Sequence, residues 1–485
     1  MSAVVTARWC RPSGLVMAGP PDGYPMLRSP IVPDKSRVVC CGMSSYEAYL
    51  DGVGREAMDR CTSCGKCVEV CPTAAEIGLD RAAAVRIVEE LKAVTAGEAY
   101  PENAGRWIEA CNGSAQCVAA CPEQINVRQW MSVARIKKRT GTVPESERRA
   151  AGAQKYRNMA HAMRLLASMQ IPSEAMKRIT ARGEGRNCEL LFYTGCNVLR
   201  TPHIVFNIMD ILDVLGVRYD VMGGAANCCG IYQFNEGDTR THERIAGRTY
   251  ESFGQSGAGQ VLTWCPTCTK QLAETRHDAA PRDFGIGHVT AFLAANIERM
   301  RPRFVDLPKR RAVLHEHDSL AGVTGHVRAL MAAIPNLEVV EIPQHRDWGY
   351  TCQAGKVWPG KAAEIHELVA EGAASVGADL LVTTYHSCHR QLVGAEARYP
   401  FQVMNFTDLL AEALGKGGRH DWFKQYKLGG DMQQAVELAR GYLQQNGVEL
   451  RDEDVATLTA EVFGENGFNG ERTAFEDALR QLATP

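Results

Sequence analysis

Residues 263–272 read Thr-Trp-Cys-Pro-Thr-Cys-Thr-Lys-Gln-Leu, and residues 383–392 read Thr-Thr-Tyr-His-Ser-Cys-His-Arg-Gln-Leu. The second run echoes the first 120 positions on, and two more matches keep nearly the same offset: Cys229 with Cys352 (123) and Cys196 with Asp318 (122). Self-similarity at a fixed spacing marks a tandem duplication. Short β-branched runs precede the matched positions, at Leu190–Thr194, Arg218–Met222 and Gln260–Trp264, then at Arg311–His315, Leu337–Pro343 and Leu380–Thr384. Strands alternating with helical stretches predict an α/β fold for each copy.

Outward from the repeats the character of the chain changes. Residues 46–150 are helical in pattern, with the clearest helix over Ala82–Val94, and two cysteine-rich loops interrupt them. This predicts an N-terminal all-α, ferredoxin-like two-cluster domain. Residues 1–45 hold six of the 21 prolines together with Cys10, Cys40 and Cys41, and read as an irregular segment with unliganded thiols. Arg135, Lys137, Lys138, Arg139, Arg148 and Arg149 bracket Gly141 and Pro144 and read as a solvated basic face at a linker. The expected plan is an irregular segment (1–45), the two-cluster domain (46–150), a linker (151–185), a first repeat (186–305), a second repeat (306–415) and a helical tail (416–485). Tail helices are expected near 431–446, 452–463 and 471–482.

A chain of 485 residues fits several domains. Its 54 Lys and Arg against 56 Asp and Glu leave a charge of −2, too little for a polyanion-binding field, so nucleic acid is not an expected partner. The apolar stretch Ile204–Val217 is broken by Asn207, Asp210 and Asp213 and reads as an amphipathic helix, not a membrane span. No leader pattern opens the chain, so the expected location is the cytoplasm, or the inner face of the membrane through a partner. Eighteen cysteines in such a chain point to metal rather than to disulfides.

Three motifs carry the chemistry. Cys61-x2-Cys64-x2-Cys67-x3-Cys71-Pro72 has the spacing of a ferredoxin cubane site, whose last cysteine ligates the other cluster of a pair. Cys61, Cys64, Cys67 and Cys121 are therefore expected around one [4Fe–4S] cluster. The second motif, Cys111-x5-Cys117-x3-Cys121-Pro122, has Ser114 where a cysteine is expected. Cys71, Cys111 and Cys117 then suit a [3Fe–4S] cluster, or a [4Fe–4S] cluster completed by a Ser114 alkoxide or a water. Zinc is the competing occupant of four thiolates, but the third cysteine and the Cys-Pro ending fit iron–sulfur spacing better. In the first repeat Cys196, Cys228-Cys229-Gly230 and Cys265-x2-Cys268 place five thiols after predicted strands, where parallel sheets gather loops. Adjacent Cys228 and Cys229 fit one tetrahedral zinc poorly and suit a multi-iron cluster.

The three-cysteine spacing of the second motif resembles the three-iron motif of succinate dehydrogenase and fumarate reductase iron–sulfur subunits. The first repeat resembles the cysteine-rich CCG domain of the B polypeptide of heterodisulfide reductase, of the iron–sulfur subunits of glycolate oxidase and anaerobic glycerol-3-phosphate dehydrogenase, of a methanogen fumarate reductase and of DsrK-like proteins. Residues 46 to about 415 look like a heterodisulfide reductase C–B fusion. The resemblance implies a noncubane [4Fe–4S] cluster on Cys196, Cys228, Cys229, Cys265 and Cys268 that cleaves a disulfide one electron at a time, and hence an oxidoreductase subunit. The second repeat keeps only Cys352 and Cys388 beside Asp318, with Thr351 and Tyr385 at two ligand positions. Its crowd of His315, His317, Asp318, Cys352, His386, Cys388 and His389 suggests a mononuclear zinc or iron, a proton-handling pocket, or a half kept for packing.

No G-x-G-x-x-G follows a predicted strand and no P-loop is present, so flavin chemistry is expected on a partner flavoprotein. Two functions remain open. One is an electron-transfer subunit of a heterodisulfide-reductase-like complex acting on a disulfide or related sulfur substrate. The other is a relay subunit of a flavin dehydrogenase for glycolate, glycerol-3-phosphate or succinate/fumarate, passing electrons toward quinone, with a quinone-reactive membrane subunit as a further partner.

Overall fold

The computed structural model describes residues 46–181, 188–274, 284–317, 320–342, 359–429 and 432–463. Helices Tyr46–Arg60, Ala84–Ala96, Glu102–Ala110 and Val127–Thr142 open it. Their apolar faces meet in a core of Val68, Ile87, Leu91, Trp107, Ile108 and Trp130, and the Trp130 indole N–H donates to Thr95 Oγ1 at 2.8 Å. The helix expected over Ala82–Val94 lies two residues further on, because Asp80 first caps a short 3-10 turn at Arg81–Ala83.

Two four-stranded parallel sheets follow. The first comprises β1 (Leu190–Gly195), β2 (Tyr219–Gly223), β3 (Gln260–Thr263) and β4 (Gly285–His288), in the order β2-β1-β3-β4. The second comprises β5 (Arg310–His315), β6 (Leu337–Val340), β7 (Leu380–Thr383) and β8 (Gln402–Asn405), in the equivalent order β6-β5-β7-β8. Leu190 pairs with Gln260 and Ala312 with Leu380. The sheet register thus reproduces the sequence offsets (190 to 312 is 122; 260 to 380 is 120). Every β1 residue is buried, as a strand covered on both faces requires.

The duplication also governs how the copies pack. The helix after β1, His203–Val214, lies against the helix after β8, Phe406–Ala413; the helix after β5, Val323–Ala333, lies against the helix after β4, Val289–Ala295. Each contact is the counterpart of the other, so the repeats meet about a pseudo-twofold axis. One apolar core runs through both, joining Phe192, Ile208 and Leu262 to Leu314, Val382 and Leu409. Each such side chain contributes roughly 1.5–3 kcal/mol on burial.

Two sequence expectations are corrected here. The stretch expected as a linker carries the helices Glu145–Ser168 and Ser173–Ile179. Pro144 sets the start of the longer one, so the break at Gly141–Pro144 is a turn between two helices. Nor, Arg149 apart, is the basic run a solvated face. Arg135 donates to Ile108 O, Lys138 pairs with Glu109, Arg139 reaches Glu236, and Arg148 donates to Gly237 O. Lys137 pairs with Asp51. Glu236 is buried, and Arg139 and Lys155 neutralise its carboxylate at the end of the Ile231–Glu236 helix.

In the tail, Met432–Gln445 and Asp452–Phe463 are helical, with the shorter helix Trp422–Leu428 ahead of them. The expected helix at 471–482, the segment 1–45, Cys10, Cys40 and Cys41 lie outside the described residues. Val436, Ala439, Leu443 and Val455 pack on Leu165, Leu166 and Met169 of the Glu145–Ser168 helix and its end, and the Tyr426 hydroxyl donates to Met169 O at 2.8 Å. Leu443→Ala is therefore expected to cost about 2–5 kcal/mol, read as a lowered unfolding midpoint of the anaerobic holoprotein. A tail without structural weight would leave the midpoint in place.

Candidate functional site: three thiol centres

The two N-terminal motifs build matching hollows. Cys61, Cys64, Cys67 and Cys121 line one, with Val88, Ile125, Val127 and Trp130 behind them. Cys71, Cys111 and Cys117 line the other, together with Ser114, Trp107, Arg128 and Met131. The last cysteine of each motif thus crosses into the hollow of its neighbour. The loops bend alike: Ser63 and Gly65 in one and Gly113 and Ala115 in the other all have φ between 58° and 80°. Such left-handed residues turn backbone N–H groups inward, and Ser63 N donates to Cys61 Sγ at 3.4 Å. The Trp107 indole donates to Cys71 Sγ at 3.3 Å.

The five thiols of the first repeat converge at the carboxyl edge of the first sheet. Cys196 follows β1, Cys228 and Cys229 follow β2, and Cys265 and Cys268 follow β3. The chain passes from β1 to β2 on one side and then to β3 on the other, and at such a switch point the loops part to leave a crevice. All five are buried, and Cys229 and Cys268 approach to 3.5 Å between sulfurs. Gly195 and Gly230 carry φ of 72° and 77°. A Cβ on Gly195 would stand 3.1 Å from Cys268 Sγ, so the strand end makes room for sulfur and what it binds. Tyr193 donates to Asn227 O at 2.6 Å and Gly230 N to Cys228 Sγ at 3.3 Å, fixing the double-cysteine loop.

Burial and close packing shift the thiols of these pockets. Burial, then the neighbouring Cys61, Cys64 and Cys121, push Cys67 up to about 12. Burial and then Cys111 and Cys71 raise Cys117. In the five-thiol centre Cys265 falls to about 7 because the Cys268 thiol hydrogen-bonds to it, while Cys268 rises, first through its bond to Cys229 and then through that to Cys265. Thiols packed so closely cannot all ionise unless a multiply charged cation compensates them, which is the condition an iron–sulfur cluster meets. None of the twelve motif cysteines is in a disulfide.

Residues without a motif signature connect the centres. Lys270, on the Pro266–Glu274 helix with Cys268, lies within reach of the charges of both Cys111 and Cys265, and a Cβ on Gly113 would meet its Nζ at 3.0 Å. Arg128 of the second hollow pairs with Glu274 at the end of the same helix, and Asn126 donates to that carboxylate at 3.1 Å. One helix therefore carries a ligand-type cysteine and a grip on the neighbouring centre. Only a residue's fold partners expose such a role, so sequence spacing held no sign of Lys270.

In the second repeat Asp318 and Cys352 lie outside the described residues. Cys388 and His386 are buried in the first turn of the His386–Leu392 helix, and Trp264 Nε1 donates to His386 Nδ1 at 3.1 Å. Tyr385 packs edge-on to His317, 4.9 Å between centroids, and to Trp264, 6.4 Å. His389 joins a different group, 2.6 Å from Asp421 Oδ2. Cys188 is buried beside Ser256 O and belongs to no centre.

An all-α two-cluster domain followed by a doubled α/β unit with a five-thiol pocket defines an iron–sulfur oxidoreductase component. Residues 56–125 match a 4Fe-4S dicluster domain and residues 190–273 a cysteine-rich CCG domain. The chain is similar to the D polypeptide of dihydromethanophenazine:CoB–CoM heterodisulfide reductase from Methanosarcina barkeri, 24% identical over 400 residues that span 76% of this chain and 96% of the relative. The B polypeptide of the CoM/CoB fumarate reductase from Methanothermobacter marburgensis is 25% identical over 48% of each chain. The EtfAB:quinone oxidoreductase of Syntrophomonas wolfei is 23% identical over 36% of this chain and 25% of its own. No helix among the described residues is long and apolar enough to cross a membrane.

Proposed function

We propose that the chain is the electron-transferring and substrate-contacting iron–sulfur subunit of a heterodisulfide-reductase-like complex, paired with a flavoprotein. The observation that carries this reading is the buried five-thiol pocket at the switch point of the first sheet, joined by the Pro266–Glu274 helix to the second N-terminal hollow. Cys61, Cys64, Cys67 and Cys121 would hold a [4Fe–4S] cluster, Cys71, Cys111 and Cys117 a [3Fe–4S] cluster, and Cys196, Cys228, Cys229, Cys265 and Cys268 a noncubane [4Fe–4S] cluster. Bound there, these groups supply single electrons. Cys64 is the exposed member of the outermost set, so that hollow faces the electron donor, and the order of centres runs inward from it. Reduction of a disulfide takes two electrons and two protons and releases two thiols. Tyr193, Tyr232 and Tyr156 stand near the pocket with phenols that burial, and then its thiolates, keep protonated.

The test is anaerobic oxidation of reduced viologen by the mixed disulfide of coenzymes M and B, with thiol release counted. Two electrons consumed per disulfide cleaved are expected. Turnover with a quinone analogue and none with any disulfide would instead establish the quinone-directed relay reading, which similarity to the EtfAB:quinone oxidoreductase and the depleted second repeat favour. Ser114 supplies a separate prediction. Oxidised protein should show a three-iron electron paramagnetic resonance signal, and Ser114→Cys should abolish it and raise iron content by about one per chain. Absence of a three-iron signal, with Ser114→Cys changing nothing, refutes the three-iron assignment.

A further inference from the structure

We propose that His203, His389 and Asp421 form a mononuclear site for a divalent transition metal, zinc being the ion whose preferences the set best meets, and that this ion pins both α/β repeats to the C-terminal helices. The site is separate from the thiol centres and does not rest on the redox reading. Its residues come from three distant segments: His203 opens the helix after β1, His389 lies on the helix after β7, and Asp421 caps the helix Trp422–Leu428. One ligand atom from each lies within 4.8 Å of the others. His389 Nε2 is 2.6 Å from Asp421 Oδ2, and His203 Nδ1 is 3.4 Å from Asp421 Oδ1. Ligand atoms bonded at ~2.0–2.1 Å around a tetrahedral zinc stand about 3.3 Å apart, so small shifts admit the ion.

Three further observations point to a cation. The side chains of His203 and His389 are 2% and 0% exposed, yet neither ring nitrogen of His203 makes a hydrogen bond among the described residues. A buried polar group in that state is costly without a partner. Polar groups stand beside the nitrogens turned from the site: Thr383 Oγ1 is in hydrogen-bond contact with His389 Nδ1 at 3.4 Å, and the Asp408 carboxylate lies 3.7 Å from His203 Nε2, a small shift from bonding it. Outer partners of this kind fix ring orientation at metal-bound histidines. Finally, two largely buried carboxylates, Asp408 and Asp421, face these rings, and among the described residues no Lys or Arg pairs with either. A divalent ion balances both charges. Two imidazoles and a carboxylate suit zinc or ferrous iron, with water completing the shell.

The test is metal analysis of the full chain purified anaerobically, with zinc-edge X-ray absorption. About one zinc per chain with nitrogen and oxygen neighbours is expected. His203→Gln and Asp421→Asn should each lower zinc retention at least tenfold, leaving cluster iron and sulfide unchanged; Asn still caps a helix, so Asp421→Asn keeps the local fold. Asp408→Asn should weaken retention by about 10–100-fold. Loss of one high-spin ferrous ion per chain in these variants, in place of zinc, also supports the site. Zinc bound by sulfur, or metal content indifferent to His203→Gln and Asp421→Asn in folded protein, overturns it.

Discussion

Cys229→Ala is expected to remove about four irons per chain and to abolish disulfide-dependent viologen oxidation, while the two N-terminal centres remain reducible. The reasoning is local. Cys229 is 1% exposed and sits 3.5 Å from the Cys268 sulfur, at the middle of the five-thiol pocket. The loop that carries it is held by other means: Gly230 provides the left-handed turn, Tyr193 grips Asn227 O, and Thr249 Oγ1 donates to Cys228 O at 2.8 Å. Removing the sulfur should therefore empty the pocket without unfolding the sheet. Anaerobic iron and sulfide assays against spectra of the N-terminal centres read the outcome. Full iron content together with undiminished turnover in the variant would exclude this pocket as the site of disulfide chemistry.

The second large effect is expected at Trp264. Its indole is fully buried where the repeats meet, stacked on Phe406 at 5.8 Å and 20°, bonded to His386, and with its backbone O 2.7 Å from His288 Nε2. Trp264→Ala should cost about 3–5 kcal/mol through lost burial and a cavity that the two rigid sheets cannot close. Trp264→Phe keeps most of the area but removes the donor to His386, at about 1–3 kcal/mol. Unfolding midpoints of the anaerobic holoproteins should fall in that order. A loss of under about 1 kcal/mol for Trp264→Ala would mean that the repeats do not depend on this contact.

Much of the architecture was written locally. Six of the eight strands follow from β-branched runs, because Leu190–Thr194 and Leu380–Thr384 are apolar on both faces and too short for helices. β4 was missed since Gly285-Ile286-Gly287-His288 has two glycines and no strand propensity of its own; pairing with β3 makes it a strand. β8 has a single β-branched residue, Val403, and offered no run to detect. The long helix at 145–168 was hidden by its polar composition. It stands because Gly152 lets its backbone approach Gln233, where a Cβ would lie 3.2 Å from Cα, and because its Lys155 pairs with buried Glu236. The cysteine groupings of all three centres were legible, since ligand spacing repeats a geometric requirement. Lys270, His203 and Asp421 were not, because their neighbours come from segments that meet only in the folded chain.

The exchange of Cys71 and Cys121 between the two N-terminal hollows bears on how this protein is made. A nascent chain that has left the ribosome only as far as residue 120 has three sulfurs for the first hollow and, even with Cys71 in place, no fourth. It also has no pairing of the two loops to hold them apart. Neither centre can be finished before the other's motif has emerged, and iron delivered earlier would meet an open, exchangeable set of thiols. Maturation of the pair is thus expected to be a single late event, and a truncation within residues 72–116 should yield a chain without either centre instead of one with half of the complement.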